Sequence, residues 1–320
     1  MTTATSRETY RPFRFGILHM SPVPSARAWA NHVRRIEASG FSTLFLSDHF
    51  ERSPLAPIPA MANAAALTDD LIVGSLVLNN DLRHPALLAK EMATIDLLTD
   101  GRVELGLGAG WMIADYCEAG LAMDGAGVRV DRLTEAVAVV RALFDGPPVD
   151  HAGAHYRIEG MRPVPLRTGG RPPLLIGGGG RRVLGLAGRE ADIVSVNWNV
   201  RAGAMGASAI ESGSPEATSA KLQWVHAAAA GRSVELHMQC YLLRVTDDPE
   251  TAVAQWLRSV GADDLDPAVV ADCPHVLAGP IGAIEEKLTA QRERWGFSYV
   301  SFYDSALDDA SAVVARLGGG

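Results

Sequence analysis

The sequence predicts a (β/α)8 TIM barrel with an inserted β-hairpin and loop insertions. Short, apolar, β-rich runs alternate with longer runs of helical spacing, and eight of the β-rich runs occur within the 320 residues. Such alternation indicates a parallel sheet whose strands are joined by crossover helices. Eight strand–helix units favour a closed barrel. An open, doubly wound sheet is the alternative, because the periodicity of a sequence does not show whether the sheet closes.

The eight predicted strands are short and apolar, and several end at glycine or polar residues. They cover residues 13–20, 41–47, 71–79, 103–107, 174–176, 191–196, 234–245 and 298–303. Helical spacing of apolar residues is clearest at residues 26–38, 87–98, 132–144, 252–259 and 281–295. No linker divides the chain. We therefore expect a loose tail at residues 1–12 and a single barrel domain over residues 13–320.

Two segments interrupt this alternation. Residues 146–165 contain Pro-Pro-Val, a turn at Ala152 and Gly153, and a second β-rich run. They predict a hairpin near residues 149–158 that packs against the barrel. Residues 201–219 are rich in alanine, glycine and serine, which predicts a mobile loop or insertion. Long excursions of this kind are often lids over a binding site.

Composition and charge argue against several classes of protein. Hydrophobic residues make up 48% and charged residues 21% of the chain, which is ordinary for a globular protein with a sizeable core. The net charge of −8 and the scattered basic residues argue against a nucleic-acid partner. The three cysteines form no Cys-x-x-Cys pair, so a disulfide scaffold or a thiolate zinc site is not expected.

The sequence also shows no signal-peptide core and no apolar stretch long enough to span a membrane. We therefore expect a cytoplasmic protein that acts on a small-molecule substrate and has no membrane partner. The histidines are not spaced as metal ligands, and no metal is predicted.

The candidate acid–base pair follows the second predicted strand, where Asp48 precedes His49. In barrel enzymes, catalytic groups lie at the carboxyl ends of the strands. Histidine titrates near neutral pH, and a neighbouring carboxylate can raise its pKa or select its tautomer. The alternative is that Asp48 caps a turn and His49 is an ordinary loop residue.

Polar and small residues also end the next two strands. The amides of Asn79 and Asn80 suit the edge of a heterocycle or, alternatively, a turn. The fourth strand continues into four residues that let a ligand approach the backbone, namely Gly108, Ala109, Gly110 and Trp111. Trp111 either stacks on a ring or fills the core. The glycine spacing is not that of the dinucleotide-binding fingerprint.

The fifth strand runs into four consecutive glycines: Gly177, Gly178, Gly179 and Gly180. Arg181 and a helix-like run follow. Backbone N–H groups and the helix dipole bind anions at such a helix start, and Arg181 adds positive charge. The sequence therefore predicts a phosphate cradle, with a flexible turn and solvated arginines as the alternative.

Together these strand ends resemble those of the luciferase-like flavin and deazaflavin oxidoreductases. The run Asn-Asp-Leu-Arg-His-Pro at residues 80–85 carries the resemblance most specifically, and Gly101-Arg102 and Gly-Ala-Gly-Trp at residues 108–111 continue it. The resemblance extends over residues 13–303. Together with Asp115 and Tyr116, the pattern is most similar to the actinobacterial branch that uses the deazaflavin coenzyme F420.

The resemblance implies a role for each strand end. F420 would lie across the barrel mouth, with Asp48 and His49 beside its ring and its phosphate at the glycine run. Contacts with the cofactor are implied for Leu76, Val77, Asn79, Asn80, Gly108, Ala109, Gly110, Trp111, Tyr116, Gly177, Gly178, Gly179, Gly180 and Arg181. A cis peptide bond between Leu76 and Val77 and a homodimer are implied as well. Trp111 stands where the sugar-phosphate dehydrogenases of the family have a glutamate acid, which argues against that reaction.

The expected activity is hydride transfer to or from a small organic substrate, with reduction of an activated double bond favoured. A deazaflavin has carbon where a flavin has nitrogen at position five, so it transfers hydride but activates oxygen poorly. One alternative is an FMN-dependent monooxygenase of the same fold that uses a separate flavin reductase. The other is a non-catalytic flavin-binding protein.

Overall fold

The computed structural model of the protein describes residues 10–318. Of the tail predicted at residues 1–12, only residues 10–12 lie within this range, and they have no regular secondary structure. In the part of the chain that is described, no helix is both long enough and apolar enough to cross a lipid bilayer.

Residues 10–318 form thirteen strands and twelve α-helices. The strands are β1 (Arg14–His19), β2 (Thr43–Leu46), β3 (Ile72–Ser75), β4 (Leu78–Asn79), β5 (Val103–Gly108), β6 (Val149–Ala152), β7 (Arg157–Met161), β8 (Leu174–Gly178), β9 (Ile193–Val196), β10 (Glu235–Gln239), β11 (Leu242–Val245), β12 (Val276–Gly279) and β13 (Phe297–Tyr303). The helices are α1 (Ala26–Ala38), α2 (Pro57–Ala66), α3 (Pro85–Leu98), α4 (Ile113–Glu118), α5 (Ala126–Asp145), α6 (Arg181–Glu190), α7 (Ala207–Glu211), α8 (Pro215–Ala229), α9 (Pro249–Ser259), α10 (Pro267–Ala271), α11 (Ile281–Trp295) and α12 (Leu307–Leu317). Short 3₁₀ helices, Asn80–Leu82 and Asp304–Ala306, follow β4 and β13.

Eight parallel strands close into a barrel. They neighbour one another in the order β3, β2, β1, β13, β10, β9, β8 and β5, and β5 pairs back with β3. The closing pair aligns Val73 with Val103 and Gly74 with Glu104. β4 continues β3 beyond a short break and also pairs with β5. The predicted (β/α)8 barrel is therefore confirmed, and the open-sheet alternative is wrong because both edges of an open sheet would be unpaired.

The helices cover the outside of the barrel with the apolar faces that their sequence spacing predicts. In α1, Trp29, Val33 and Ile36 are buried and lie on one helix face. The Oγ atom of Ser25 caps this helix by accepting a hydrogen bond from the backbone N–H of Ala28. The bounds of α1 and α11 equal those predicted. Helices α2 and α12 were not predicted, and α2 is an alanine-rich segment without a clear apolar period.

Two predicted strands are each divided in the structure. The strand expected at residues 71–79 is interrupted at Leu76 and Val77, between which the peptide bond is cis, as the family resemblance implied. The strand expected at residues 234–245 is β10, which belongs to the barrel, and β11, which pairs instead with β12. The chain leaves the barrel at Cys240, where the backbone N–H donates to the carbonyl oxygen of Ser301. The Tyr241 N–H then donates to the carbonyl oxygen of His275.

The inserted hairpin is confirmed. Strands β6 and β7 pair antiparallel, with His151 opposite Ile158. Val149 and Ile158 are buried in the same hydrophobic core as the barrel strands and their helices. The hairpin therefore packs against the barrel and does not form a core of its own.

The loop expected at residues 201–219 is wrong in part, because the segment contains α7 and the first turn of α8. Alanine favours helix, and Ser214 caps α8 by accepting a hydrogen bond from the Ala217 N–H. The buried Lys221 ammonium also donates to the carbonyl oxygens of Asn197 (2.8 Å) and Ser212 (2.6 Å). These bonds fix the path of the chain between β9 and α8.

A network of charges lies inside the base of the barrel, where the strands begin. Arg14 donates to Glu104 at 2.7 Å and makes two hydrogen bonds to Glu235, each of 2.8 Å. The Tyr299 hydroxyl donates to the other oxygen of Glu104 at 3.0 Å, and the guanidinium lies 3.5 Å from the centre of the Tyr299 ring. Because Glu104 is buried, it depends on Arg14 for its countercharge.

We expect Arg14→Gln to lower the free energy of unfolding by about 3–5 kcal/mol, because it leaves the Glu104 carboxylate buried without a cation. Urea denaturation followed by circular dichroism measures this loss. Arg316→Gln is the matched control, since Arg316 pairs with Glu285 at the surface, where an ion pair contributes about 0–1 kcal/mol. A loss for Arg14→Gln no larger than that of the control would contradict the role given to the network.

Candidate active site at the barrel mouth

The predicted site residues meet at one end of the barrel, because parallel strands all end there. Asp48 and His49 follow β2, Asn79 ends β4, Gly108 ends β5 and Gly178 ends β8. We call this end of the barrel the mouth.

His49 makes its carboxylate contact with Asp115, 66 residues along the chain. The Nδ1 atom of His49 lies 2.6 Å from Oδ2 of Asp115, and the backbone N–H of Phe50 donates to Oδ1 of Asp115 at 2.9 Å. Asp115 is buried and lies in α4, the short helix after β5. The expectation that the neighbouring Asp48 selects the tautomer of His49 is therefore wrong, because Asp115 occupies that position.

Asp48 holds the backbone of the mouth. Its carboxylate accepts hydrogen bonds from both terminal nitrogens of the Arg83 guanidinium, one of them at 3.0 Å, and from the backbone N–H of Asn79 at 2.9 Å. These contacts join the end of β2 to the end of β4. Asp48 therefore positions the rim around His49, and its hydrogen bonds go to Arg83 and Asn79.

Val77 forms the floor of the mouth. A Cβ atom on Gly108 would lie 2.6 Å from one methyl group of Val77, and a Cβ atom on Gly177 would lie 3.2 Å from the other. The isopropyl group thus fits between two strands only because both have glycine there. Leu76 and Val77 also pack against a buried hydrophobic cluster inside the barrel, formed by Leu18, Phe45, Leu175, Ile193 and Tyr299.

Tyr116 and Asn79 support the turn after β5. The Tyr116 hydroxyl donates to Asp81 at 2.9 Å and accepts from the Asn79 amide at 3.2 Å. Burial raises the pKa of Tyr116 to about 12, so the hydroxyl keeps its proton at neutral pH. Gly110 has φ +72°, and any side chain there would contact both the Tyr116 hydroxyl and the Asn79 amide. These two side chains therefore shape the backbone around Gly110.

Trp111 and Asn80 face different neighbours. The Trp111 ring lies edge-on to the His49 ring, with 5.6 Å between their centres. The Asn80 amide donates to the Tyr156 hydroxyl at 3.1 Å, next to the inserted hairpin. The carbonyl oxygens of Ala109 and Gly110 accept hydrogen bonds from Arg129 of α5, at 3.3 and 3.4 Å. Among Asn80, Ala109, Gly110 and Trp111, it is thus Trp111 that contacts the His49 ring.

The glycines that follow one another at the end of β8 differ in the space available around them. A Cβ atom on Gly178 would collide with Val183, and one on Gly179 would collide with the carbonyl group of Trp198. A Cβ atom on Gly180 would meet no atom within 4 Å, and Gly180 caps the N-terminus of α6. Arg181 is exposed at the start of that helix. The open space along the glycine run is therefore at Gly180, directly before the first turn of α6.

Asn197 is a residue of the mouth that was not predicted. It follows β9, and its amide nitrogen donates to the Ser195 hydroxyl at 3.0 Å. Its Oδ1 atom is buried and has no hydrogen-bond partner among the described residues. A Cβ atom on Gly177 would lie 3.5 Å from the same amide, which places Asn197 beside the Val77 floor. The available signal was its position directly after an apolar strand, the same signal that identified Asn79.

The strands thus form a parallel barrel whose polar groups converge at the carboxyl ends, which defines the chain as a TIM-barrel protein. The chain belongs to the luciferase-like monooxygenase family, whose sequence profile matches residues 9–294. The resemblance found in the sequence is therefore confirmed.

The curated relatives are similar to this chain over part of their length. The F420-dependent glucose-6-phosphate dehydrogenase of Microbacterium testaceum is 31% identical over 189 residues, which cover 57% of this chain and 55% of the relative. The chain therefore spans about half the length of the curated relatives it matches.

Solved structures share the barrel at low sequence identity. The coenzyme F420-dependent tetrahydromethanopterin reductase of Methanopyrus kandleri has a TM-score of 0.75 and 18% identity, over 96% of this chain and 98% of that one. An EDTA monooxygenase of a Chelativorans species has a TM-score of 0.76 and 16% identity, over 96% and 94% of the two chains. F420-dependent and monooxygenase chemistry thus occur on the same fold.

Proposed function

We propose that this protein is an F420-dependent oxidoreductase that transfers a hydride to or from a small organic substrate, with reduction of an activated double bond as its reaction. One observation carries the proposal: His49, held by Asp115 at 2.6 Å, stands at the same mouth as the Val77 floor and the open cradle at Gly180. A proton-transfer group, a ring surface and an anion site are the three features that hydride transfer by a bound deazaflavin needs. The F420-dependent relatives support the choice of cofactor.

The residues of the mouth fit such a cofactor. Val77 offers an apolar surface for a planar ring, and the unpaired Oδ1 of Asn197 offers an acceptor for a ring N–H. The first backbone N–H groups of α6, together with Arg181, suit a phosphate next to Gly180. When bound, F420 supplies the hydride chemistry, and the protein supplies orientation and proton transfer.

His49 is suited to move the proton that accompanies hydride transfer. Because its Nδ1–H donates to Asp115, Nε2 is the nitrogen that accepts a proton from the substrate or returns one. The Phe50 N–H holds the second oxygen of Asp115 at 2.9 Å, so the carboxylate keeps its orientation. The His49 side chain is 18% exposed, which leaves it open to the mouth.

Trp111 supports reduction in preference to oxidation of a sugar phosphate. It stands beside His49 with an indole ring, and it replaces the glutamate that the family resemblance places there in sugar-phosphate dehydrogenases. An apolar, aromatic wall suits a conjugated substrate and offers no second acid. The proposed substrate is therefore an activated alkene with an adjacent carbonyl group.

Titration of the apoprotein with F420 and, separately, with FMN tests the cofactor, followed by fluorescence. We expect tighter binding of F420, and F420-dependent turnover with a panel of activated alkenes. Tighter binding of FMN, with oxygen consumption when a flavin reductase is added, would favour the monooxygenase alternative. Binding without turnover on any substrate would favour a flavin-binding protein.

The cradle is tested in the same titration. A side chain at Gly178 would clash with Val183 and one at Gly179 with the carbonyl group of Trp198, so Gly180→Val is the cleaner change. We expect it to weaken F420 binding by about tenfold or more, because the new side chain fills the space before the α6 N–H groups. Gly125→Val is the matched control, since Gly125 also caps a helix and faces open space. Equal affinity in the two folded variants would count against a cradle at Gly180.

We expect His49→Gln to reduce kcat by about 10²–10⁴-fold with little change in the KM for F420, because it removes the proton-transfer group and leaves the cofactor contacts. Asp115→Asn should also reduce kcat, because the variant no longer offers a carboxylate to the Nδ1–H of His49. Steady-state kinetics give both values. Glu159→Gln is the control, because that carboxylate pairs with Arg157 on the exposed face of the hairpin. Full activity of His49→Gln would remove His49 from the mechanism.

We also propose that the protein is a homodimer. Helix α3 leaves three leucines largely exposed, Leu87, Leu97 and Leu98, of which Leu98 is 77% exposed. Exposed leucines on one helix suit contact with a second copy. We expect light scattering to give the mass of a dimer, and Leu98→Glu to shift it toward the monomer. A stable monomer of the unaltered protein at micromolar concentration would contradict the proposal.

A further inference from the structure

We propose that His19, His32 and Asp304 form a binding site for a divalent first-row transition metal such as Zn²⁺. The three residues belong to different elements. His19 ends β1, His32 lies in the middle of α1, and Asp304 begins the 3₁₀ helix after β13. Their separation in sequence explains why the spacing of the histidines gave no sign of a metal site.

The three ligand atoms form a compact triangle. His19 Nδ1 lies 2.7 Å from Asp304 Oδ2, His32 Nε2 lies 3.3 Å from His19 Nδ1, and His32 Nε2 lies 3.6 Å from Asp304 Oδ2. An ion about 0.8 Å out of the plane of these atoms would lie about 2.05 Å from each, which is the bond length of Zn²⁺ to histidine nitrogen and carboxylate oxygen. The spacing of the three atoms is therefore compatible with one ion bound to all of them.

Protons alone give this triangle one full hydrogen bond when both imidazoles are neutral. His19 Nδ1–H then donates to Asp304 at 2.7 Å, and an unprotonated His32 Nε2 lies 3.3 Å from the same His19 nitrogen. A cation could bind all three atoms at once, because each of them can donate an electron pair.

The surroundings hold the ligands in place. The backbone N–H groups of Met20 and Ser21 donate to the two oxygens of Asp304, each at 3.1 Å. The Trp29 ring lies edge-on to the His19 ring, 5.1 Å away between centres. Groups outside the ligand set that orient the ligands are a usual part of metal sites. Two imidazoles and one carboxylate suit Zn²⁺, whereas Mg²⁺ prefers oxygen ligands alone.

The site is closed on one side and open on the other. The side chains of His19 and Asp304 are 2% and 1% exposed, whereas that of His32 is 23% exposed. A water molecule that completes a tetrahedral shell would enter beside His32. Bound metal would join α1 to the ends of β1 and β13, so it should stabilise that part of the barrel. The proposal does not depend on the cofactor or on the activity.

Zinc binding to the full-length protein tests this site. After removal of metal with a chelator, the protein is titrated with Zn²⁺ by calorimetry, and its thermal midpoint is measured with and without the ion. We expect one Zn²⁺ per chain, a higher thermal midpoint that a chelator reverses, and no binding of Mg²⁺. Co²⁺ in place of Zn²⁺ should give the visible absorption of a tetrahedral site.

Variants locate the ion. His32→Ala and Asp304→Asn should each weaken Zn²⁺ binding by about a hundredfold or more, since each removes a direct ligand. His226→Ala is the control, because His226 is an exposed histidine of α8 outside the cluster, and its zinc binding should equal that of the unaltered protein. His32 is partly exposed, so its variant decides the question even if Asp304→Asn does not fold. The proposal is overturned if the unaltered protein binds no zinc, or if His32→Ala binds it as tightly as His226→Ala does.

Discussion

Closure of the parallel sheet between β3 and β5 is the constraint on which the rest of the structure depends. It brings the carboxyl ends of the eight barrel strands to one rim and leaves the interior to be filled by side chains from those strands. Phe45 fills part of that interior only because its neighbours are small. A Cβ atom on Gly16 would lie 2.8 Å from the Phe45 ring, and one on Gly74 would lie 2.9 Å from it. Glycine in the middle of a strand normally weakens a sheet, but at these two positions it leaves room for the Phe45 ring.

The two ends of the barrel use charge in different ways. At the base, the guanidinium of Arg14 neutralises carboxylates from β5 and β10, and these groups are turned toward one another. At the mouth, each carboxylate orients other groups by hydrogen bonds. Asp48 binds Arg83 and the backbone N–H of Asn79, and Asp115 binds His49. The base is therefore suited to stability, and the mouth presents a partly exposed histidine that is held by a buried carboxylate.

Two buried histidines also differ from His49 at the mouth. His237 lies inside the barrel between the hydroxyls of Ser195 and Ser301, at 2.8 and 2.9 Å, and burial lowers its pKa to about 3. Burial likewise lowers the pKa of His275 to about 3. Both are neutral hydrogen-bonding groups of the core. His49 at the rim instead lies 2.6 Å from the Asp115 carboxylate, and its side chain is 18% exposed.

The sequence by itself determined the strand–helix alternation, the hairpin and the strand ends that carry the polar site residues. The periodicity of apolar residues and the positions of glycine, from which these features were predicted, are local properties of the chain. It did not determine the partner of His49. Asp48 is adjacent in the chain but binds Arg83 and the Asn79 backbone, so the helix after β5 supplies Asp115 instead. Nor did it indicate that His19, His32 and Asp304 meet. These contacts join residues that are tens to hundreds of positions apart. Only the closed barrel, which sets the distance between strand ends, decides which of them come together.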